Sequence, residues 1–250
     1  VFHVAAFAQS IDPAGALTAI TAAREEMLFT SGVDLRVPSA MANLIGQACL
    51  ANDASVSRAQ VQSPSLRVLA NLDVEPIVAA AVFGSPPENL FHPDTPNPLA
   101  ADEALNFAIL SDPAAAAIHY GLVWLADGPQ QPVAGNIFTV RATSTVQQTT
   151  TGWVNGNLSF GQVLPAGMYQ VVGMRARSTD AVAARLVFPG QVNRPGVPVV
   201  NALADLDPYW FRYGRAGVFG EFPHTTPPTV DVIGGTAAAQ TFIFDLLRVR

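Results

Sequence analysis

The residues best equipped for chemistry in this chain are four histidines, one cysteine and thirteen basic residues, every one of the latter an arginine. His3, His92, His119 and His224 stand far apart, and no G-x-S-x-G, P-loop, H-E-x-x-H or C-x-x-C surrounds any of them. Only His92-Pro93-Asp94 brings two metal-ligand types close together, and a solvated loop explains so common a pattern better than a metal site. His119, in an apolar run, reads as a satisfied core or interface histidine rather than a base. Cys49 reads as a buried small hydrophobe, and a lone cysteine excludes an internal disulfide. Asp205, Asp207, Asp231 and Asp245 miss calcium-loop spacing. The expectation is a protein with no catalytic, metal or cofactor residues, and not an enzyme.

Two groups of side chains carry a chemistry of recognition instead. Arg141, Arg175 and Arg177 fall on the polar faces of alternating segments and would lie on adjacent strands of one sheet. Such guanidiniums meet nucleic acid, lipid head groups or acidic side chains of a neighbour. With a net charge of −6, the neighbour is the favoured partner. The run Tyr209-Trp210-Phe211-Arg212-Tyr213 follows Asp205-Leu206-Asp207 and could stack on sugars, but capping a sandwich or anchoring a subunit contact is the plainer use of these rings. The candidate subunit-interface residues are therefore Arg141, Arg175, Arg177, Tyr209, Trp210 and Tyr213.

Composition points the same way. Charged residues make up 13% of the chain and hydrophobic ones 50%, against about 25% charged in an ordinary soluble domain. No apolar run is long enough for a membrane helix. A surface this poor in charge is expected to be covered by neighbouring copies in a large homo-oligomer. The exclusive use of arginine suits interfaces, although a GC-rich genome would give the same bias. The first 23 residues hold no Lys or Arg, and the other end offers only Arg248 and Arg250. Without a cationic cluster to displace counterions, strong direct nucleic-acid binding is not expected.

The elements that must position these residues are strands. Ile137–Thr143, Met168–Arg177 and Ala181–Phe188 alternate apolar and polar side chains, the pattern of antiparallel sheets with one face in a core. Strands are expected near 66–75, 105–110, 118–126, 137–146, 168–177, 181–188, 218–222 and 241–249. Residues 1–9 could add a strand to a sheet edge. Asp12-Pro13, followed by Leu17, Ile20, Met27 and Leu28 up to Gly32, predicts a helix. Pro38-Ser39 with Met41, Leu44, Ile45, Ala48 and Cys49 predicts a second. The expected organisation is a largely helical segment, 1–62, packing on a sandwich or a neighbour, and an eight-stranded antiparallel sandwich over 63–250.

Eight strands with long Pro/Gly loops fit a jelly roll, with strands one, eight, three and six in one sheet and two, seven, four and five in the other. Strands three (118–126) and eight (241–249) are apolar on both faces. That order makes them neighbours and demands a cover for their outer face, either the N-terminal helices or another subunit. Ser178-Thr179-Asp180 would turn a corner between sheets. Arg141, Arg175 and Arg177 would share one outer surface, with Arg185 on the opposite one.

With segments such as Val163-Leu-Pro-Ala-Gly-Met-Tyr-Gln-Val171 and Arg185-Leu-Val-Phe-Pro-Gly190, the pattern over about 64–250 resembles the jelly-roll coat proteins of icosahedral viruses and phages. The resemblance implies a capsid subunit that self-assembles into an icosahedral shell in the virion, assembled in the host cytoplasm. Its implied partners are copies of itself and other capsid proteins. Many small RNA-virus coats carry a basic arm, which is not seen here. That points to a shell whose genome is neutralised otherwise, an internal membrane included, or to a component that never touches nucleic acid. The alternative is a carbohydrate-binding β-sandwich, a lectin or phage receptor-binding module. A sandwich-fold enzyme is the third.

Overall fold

The computed structural model describes residues 1–51, 56–67, 72–78, 91–111, 117–147, 149–201, 209–235 and 239–249. Strands dominate. Among the described residues, the helical pieces are single turns: α1 (Pro64–Arg67) and 3-10 turns at Ser39–Met41 and Tyr209–Phe211. The first half contains β1 (Phe2–Ile11), β2 (Thr18–Ala19), β3 (Thr30–Ser31), β4 (Asp34–Arg36), β5 (Asn43–Ala51), β6 (Val56–Gln62), β7 (Leu72–Val74), β8 (Pro76–Val78), β9 (Asn97–Pro98), β10 (Ala104–Ser111) and β11 (Ala117–Ala126). One sheet runs β1-β11-β5, with β8 and β9 both on β5; the other runs β3-β4-β10-β6-β7, with β2 beside β10.

The second half contains β12 (Ile137–Ser144), β13 (Val154–Gly156), β14 (Ser159–Phe160), β15 (Met168–Ser178), β16 (Ala181–Val187), β17 (Gly196–Asn201), β18 (Gly220–Pro223), β19 (Thr229–Gly234) and β20 (Gln240–Arg248). They form one curled nine-stranded sheet, β13-β19-β16-β17-β15-β20-β12-β14, with β18 on β15. Its curl turns on β17. Gly196–Pro198 pair antiparallel with β16, then Val199–Asn201 pair parallel with β15. Pro198 sits at this change of partner, where a missing N–H costs least.

The two halves repeat one pairing order. In the first, β1-β11-β5-β9 and β4-β10-β6-β7 are the neighbours, and β8 continues β7 to pair in parallel with the end of β5. In the second, β12-β20-β15-β18 and β13-β19-β16-β17 are the neighbours, and the end of β17 pairs in parallel with the end of β15.

The first half's own core holds Phe7, Leu44, Cys49, Val123 and Leu125 from one sheet against Leu35, Val61, Leu105, Phe107 and Ile109 from the other. The opposite face of β1, β11 and β5 carries Phe2, Val4, Ile45, Leu50, Tyr120, Leu122 and Trp124, which share a continuous core with the second half. Phe2 meets Phe219 edge-on at 4.9 Å, and Trp124 donates its Nε1 to the Gly196 carbonyl at 2.9 Å. Each such aliphatic or aromatic side chain, fully buried, contributes roughly 1.5–3 kcal/mol.

The apolar character of β11 on both faces is thus met by a second sheet on one side and the second half on the other. Helices do not supply the cover. The expected N-terminal helical segment is absent: β5 occupies the second predicted helix, and residues 20–23 run extended between β10 and β1. There Ile20 N–H donates to Phe107 O at 2.9 Å and Ala23 N–H to Ala6 O at 2.8 Å. The helical spacing of Leu44, Ile45, Ala48 and Cys49 has another origin. β5 is buried on both faces, and an irregularity where Trp124 pairs with Gly46 but Leu125 with Leu44 inserts one residue at Ile45. That bulge breaks the period of two and leaves a pattern resembling a helix.

The strand expected at 66–75 starts instead as α1; residues 68–71 lie outside the described residues, and β7 and β8 follow. Strands three and eight are not neighbours, because β11 pairs with β1 and β5 whereas β20 pairs with β12 and β15. β15 and β16 do not pair with each other, since β17 lies between them. Gly196–Asn201 and Thr229–Gly234, outside the expected strands, are β17 and β19.

Candidate functional site

The three expected arginines come together. On β20, Ile243 has Arg141 of β12 on one side and Arg175 of β15 on the other, while Thr241 has Thr143 and Arg177. Alternation aims all of them away from the core formed by Phe242 and Phe244, and Arg141, Arg175, Arg177, Thr241 and Ile243 line a cleft of about 200 Å³. Arg141 is exposed, and Arg175 and Arg177 are half-buried.

Two residues further along β20, Asp245 points to the same face and is fully buried. Arg212 grips it with Nε to Oδ2 at 2.8 Å and a terminal nitrogen to Oδ1 at 2.9 Å, and the Tyr213 backbone N–H donates to Oδ2 at 2.7 Å. This buried fork pins the aromatic run to the sheet. Gly173 opposite Asp245 has no Cβ because one would run into the carboxylate and Tyr213 N. Tyr213 has φ +53°, is 50% exposed, and lies beneath the Arg212 guanidinium at 4.6 Å. Trp210 turns toward the core and is half-buried. The side chain of Tyr209, like Asp205 and Asp207, lies outside the described residues.

A second constellation escaped the sequence reading. Arg185 of β16, expected on an outer surface, is instead 3% exposed at the junction of the halves, where carboxylates from both meet it. It donates to both oxygens of Glu25, to Asp231 Oδ2 at 3.0 Å through Nε, and to the Val4 carbonyl at 3.2 Å. Asp231 also accepts from Asn155 Nδ2 at 2.8 Å. His3 is wholly buried against this group. Its Nδ1 accepts the Arg194 backbone N–H at 3.0 Å, so the proton sits on Nε2 and faces Glu25 Oε2 at 3.4 Å. The 3.4 Å approach of Arg185 to the same Nε2 joins two donors and is no bond.

Burial lowers the His3 pKa, and Arg185 and Arg194 lower it further against the raising effect of Glu25, so the ring stays neutral. Burial alone would raise Glu25, but the His3 hydrogen bond and the Arg185 charge hold it down to about 2. Opposite charges from both halves are paired here inside the protein, so the group acts as a clasp between them. No sequence signal marks it: separations between bonded partners are 22, 46 and 160 residues.

Above the clasp opens a cleft of about 520 Å³, walled by Arg24 and Glu26 from the first half and by Trp153, Asn155, Arg194, Thr229 and Asp231 from the second. Arg185 lies 4.1 Å from the Trp153 ring centroid, a cation–π contact that ties the clasp to the cleft wall.

The remaining candidates are engaged elsewhere. His92 bonds through Nδ1 with Thr95 O at 3.0 Å and through Nε2 with Gln47 Oε1 at 3.1 Å. His119 is buried, its Nε2 3.2 Å from Ile11 O. Cys49 is buried, and that burial pushes its thiol up to about 12. Among the described residues, no three of His, Cys, Asp and Glu gather as a metal-holding group. Comparisons of the chain with family models, curated proteins and solved structures found no match.

Proposed function

We propose that the chain is a structural subunit of an icosahedral viral capsid, built as two jelly rolls in tandem. The carrying observation is the pairing order. With the short β2, β3 and β14 and the continuation β8 left out, eight strands remain in each half, and in both they neighbour one another as one-eight-three-six and two-seven-four-five. This order is the one expected of a jelly roll and supports that reading. Supporting it are the charge-poor composition, the lack of any need for a disulfide, and a clasp that sets one half rigidly on the other.

In this reading the partners are further copies of the chain and other capsid proteins, without strong direct nucleic-acid binding, and the location is the virion after assembly in the host cytoplasm. The arginine cleft on the outer face of β12, β20 and β15 takes acidic side chains of a neighbouring copy, and Tyr213 beside it packs at the same contact. No cofactor enters.

The test is particle size. Light scattering and negative-stain microscopy of the pure protein are expected to show closed assemblies of many subunits. Arg141→Glu, a change at an exposed position, is expected to shift the population toward free subunits without altering the melting curve. A protein that stays monomeric at every salt and protein concentration tried would sink the proposal.

A further inference from the structure

The junction cleft has a composition that the shell reading leaves unused. Its volume of about 520 Å³ falls among ligand-sized sites, roughly 300–1,000 Å³, which favour the seams between packed units. Arg24 is exposed and makes no ion pair among the described residues. Arg194 is held in position by its own loop, one terminal nitrogen donating to Gln191 O at 2.6 Å and Asn193 O at 3.4 Å. Asn155 spends its Nδ2 on Thr229 Oγ1 at 2.9 Å and Asp231 Oδ1 at 2.8 Å, which fixes the amide and leaves its oxygen to face a ligand. Glu26 and Asp231 add acceptors to the wall, and Trp153 and Val187 add apolar surface.

Cations and acceptors in one cleft select against simple ligands of either kind. A bare phosphate gains from Arg24 and Arg194 but faces the carboxylates of Glu26 and Asp231. A neutral sugar can donate to those carboxylates and to Asn155 but leaves the guanidiniums without a counter-charge. A ring that carries a carboxylate and several hydroxyls satisfies both sets, its acid on the arginines and its hydroxyls on Asn155, Asp231 and Glu26. The clasp beneath holds Asp231 through Arg185 Nε at 3.0 Å, so part of the wall is fixed before a ligand arrives. We propose that this cleft binds an acidic sugar, a pyranose bearing a carboxylate, as the terminal unit of a glycan.

The proposal is tested by titrating the whole protein with glucuronic acid, N-acetylneuraminic acid, glucose and acetate, read by saturation-transfer NMR. Saturable binding is expected for at least one acidic sugar, and which of the two binds identifies the source of the ligand. Glucose and acetate should each bind at least about tenfold more weakly, as should the acidic sugar to Arg24→Ala, since one charge-assisted bond is worth that much. Arg67→Ala, an exposed arginine outside the cleft, should bind like the unchanged protein. Three results would overturn the idea: no saturable binding of either acid sugar, acetate binding as tightly as the sugar, or Arg24→Ala without effect on a protein that melts normally. The outcome is independent of particle size, so it stands or falls apart from the shell reading.

Discussion

Glu25 offers the sharpest test of how the halves are held together. Its side chain is 1% exposed, bonded to Arg185 and facing His3. A carboxyl brought from 4.5 down to about 2 contributes about 3 kcal/mol at roughly 1.4 kcal/mol per pH unit. Because the folded value is the lower one, this contribution is present above pH 4.5 and is lost as pH falls toward 2. His3 shifts in the same direction through burial. The unfolded chain therefore takes up its proton first, and stability declines as pH drops below the ordinary 6.5 toward the lowered folded value.

Glu25→Gln keeps the volume and removes the charge, leaving Arg185 buried with Asp231 alone. A loss of about 3–5 kcal/mol at pH 7 is expected from breaking a buried pair. Urea unfolding followed by tryptophan fluorescence from pH 7 to pH 3 reads both effects. The gap between the two proteins should narrow below pH 4.5, where the unchanged protein begins to lose what the variant never had. A gap under about 1 kcal/mol at neutral pH, or one that does not change with acid, would refute the argument.

Three further outcomes follow from buried groups in the two halves. Arg212→Ala strands a carboxylate that is fully buried and should cost about 3–5 kcal/mol, while Gly173→Ala forces a Cβ toward the same carboxylate and should cost about 1–3 kcal/mol; chemical denaturation measures both, and neutral behaviour of either would show that Asp245 is not held as described. Cys49, with its thiol pushed up to about 12, should react with an aromatic disulfide reagent only on unfolding, and rapid labelling of the native protein would contradict its burial.

What could be read in the sequence was decided by how many faces of a strand are covered. β12 has a solvent face of Thr139, Arg141 and Thr143 against a core face of Val140 and Ala142, so its period of two survives, and with it the placement of the arginines. β5 and β11 are covered on both faces, and burial on both sides erases alternation. For β11 this still left a usable signal, the need for a cover. For β5 the bulge at Ile45 converted the same apolar richness into a false helix. β17 was hidden by Pro195 and Pro198, because proline marks loops unless a strand is changing partners. The clasp was hidden for another reason: Arg185 and Asp231 face each other across paired strands of the second half, and only the packing of the halves brings His3 and Glu25 to them.

The clasp and the apolar junction do different work. Val4, Leu122 and Trp124 and their partners across the junction supply attraction, but the hydrophobic effect is non-directional and does not by itself select one placement of the halves. A buried ion network is not needed for stability as such, since apolar replacements of similar volume are often neutral or better by about 1–4 kcal/mol. Its distinguishing property is direction. The Arg185 fork must reach Glu25 of the first half and Asp231 of the second at once, while its NH1 also donates to the Val4 carbonyl. A shift of an ångström or two would leave a buried charge without its partner, a larger penalty than lost apolar contact alone. The same residues therefore fix the angle between the halves and form one wall of the cleft above them, so a ligand bound to Arg24 and Asp231 would touch both halves in the one arrangement the clasp allows.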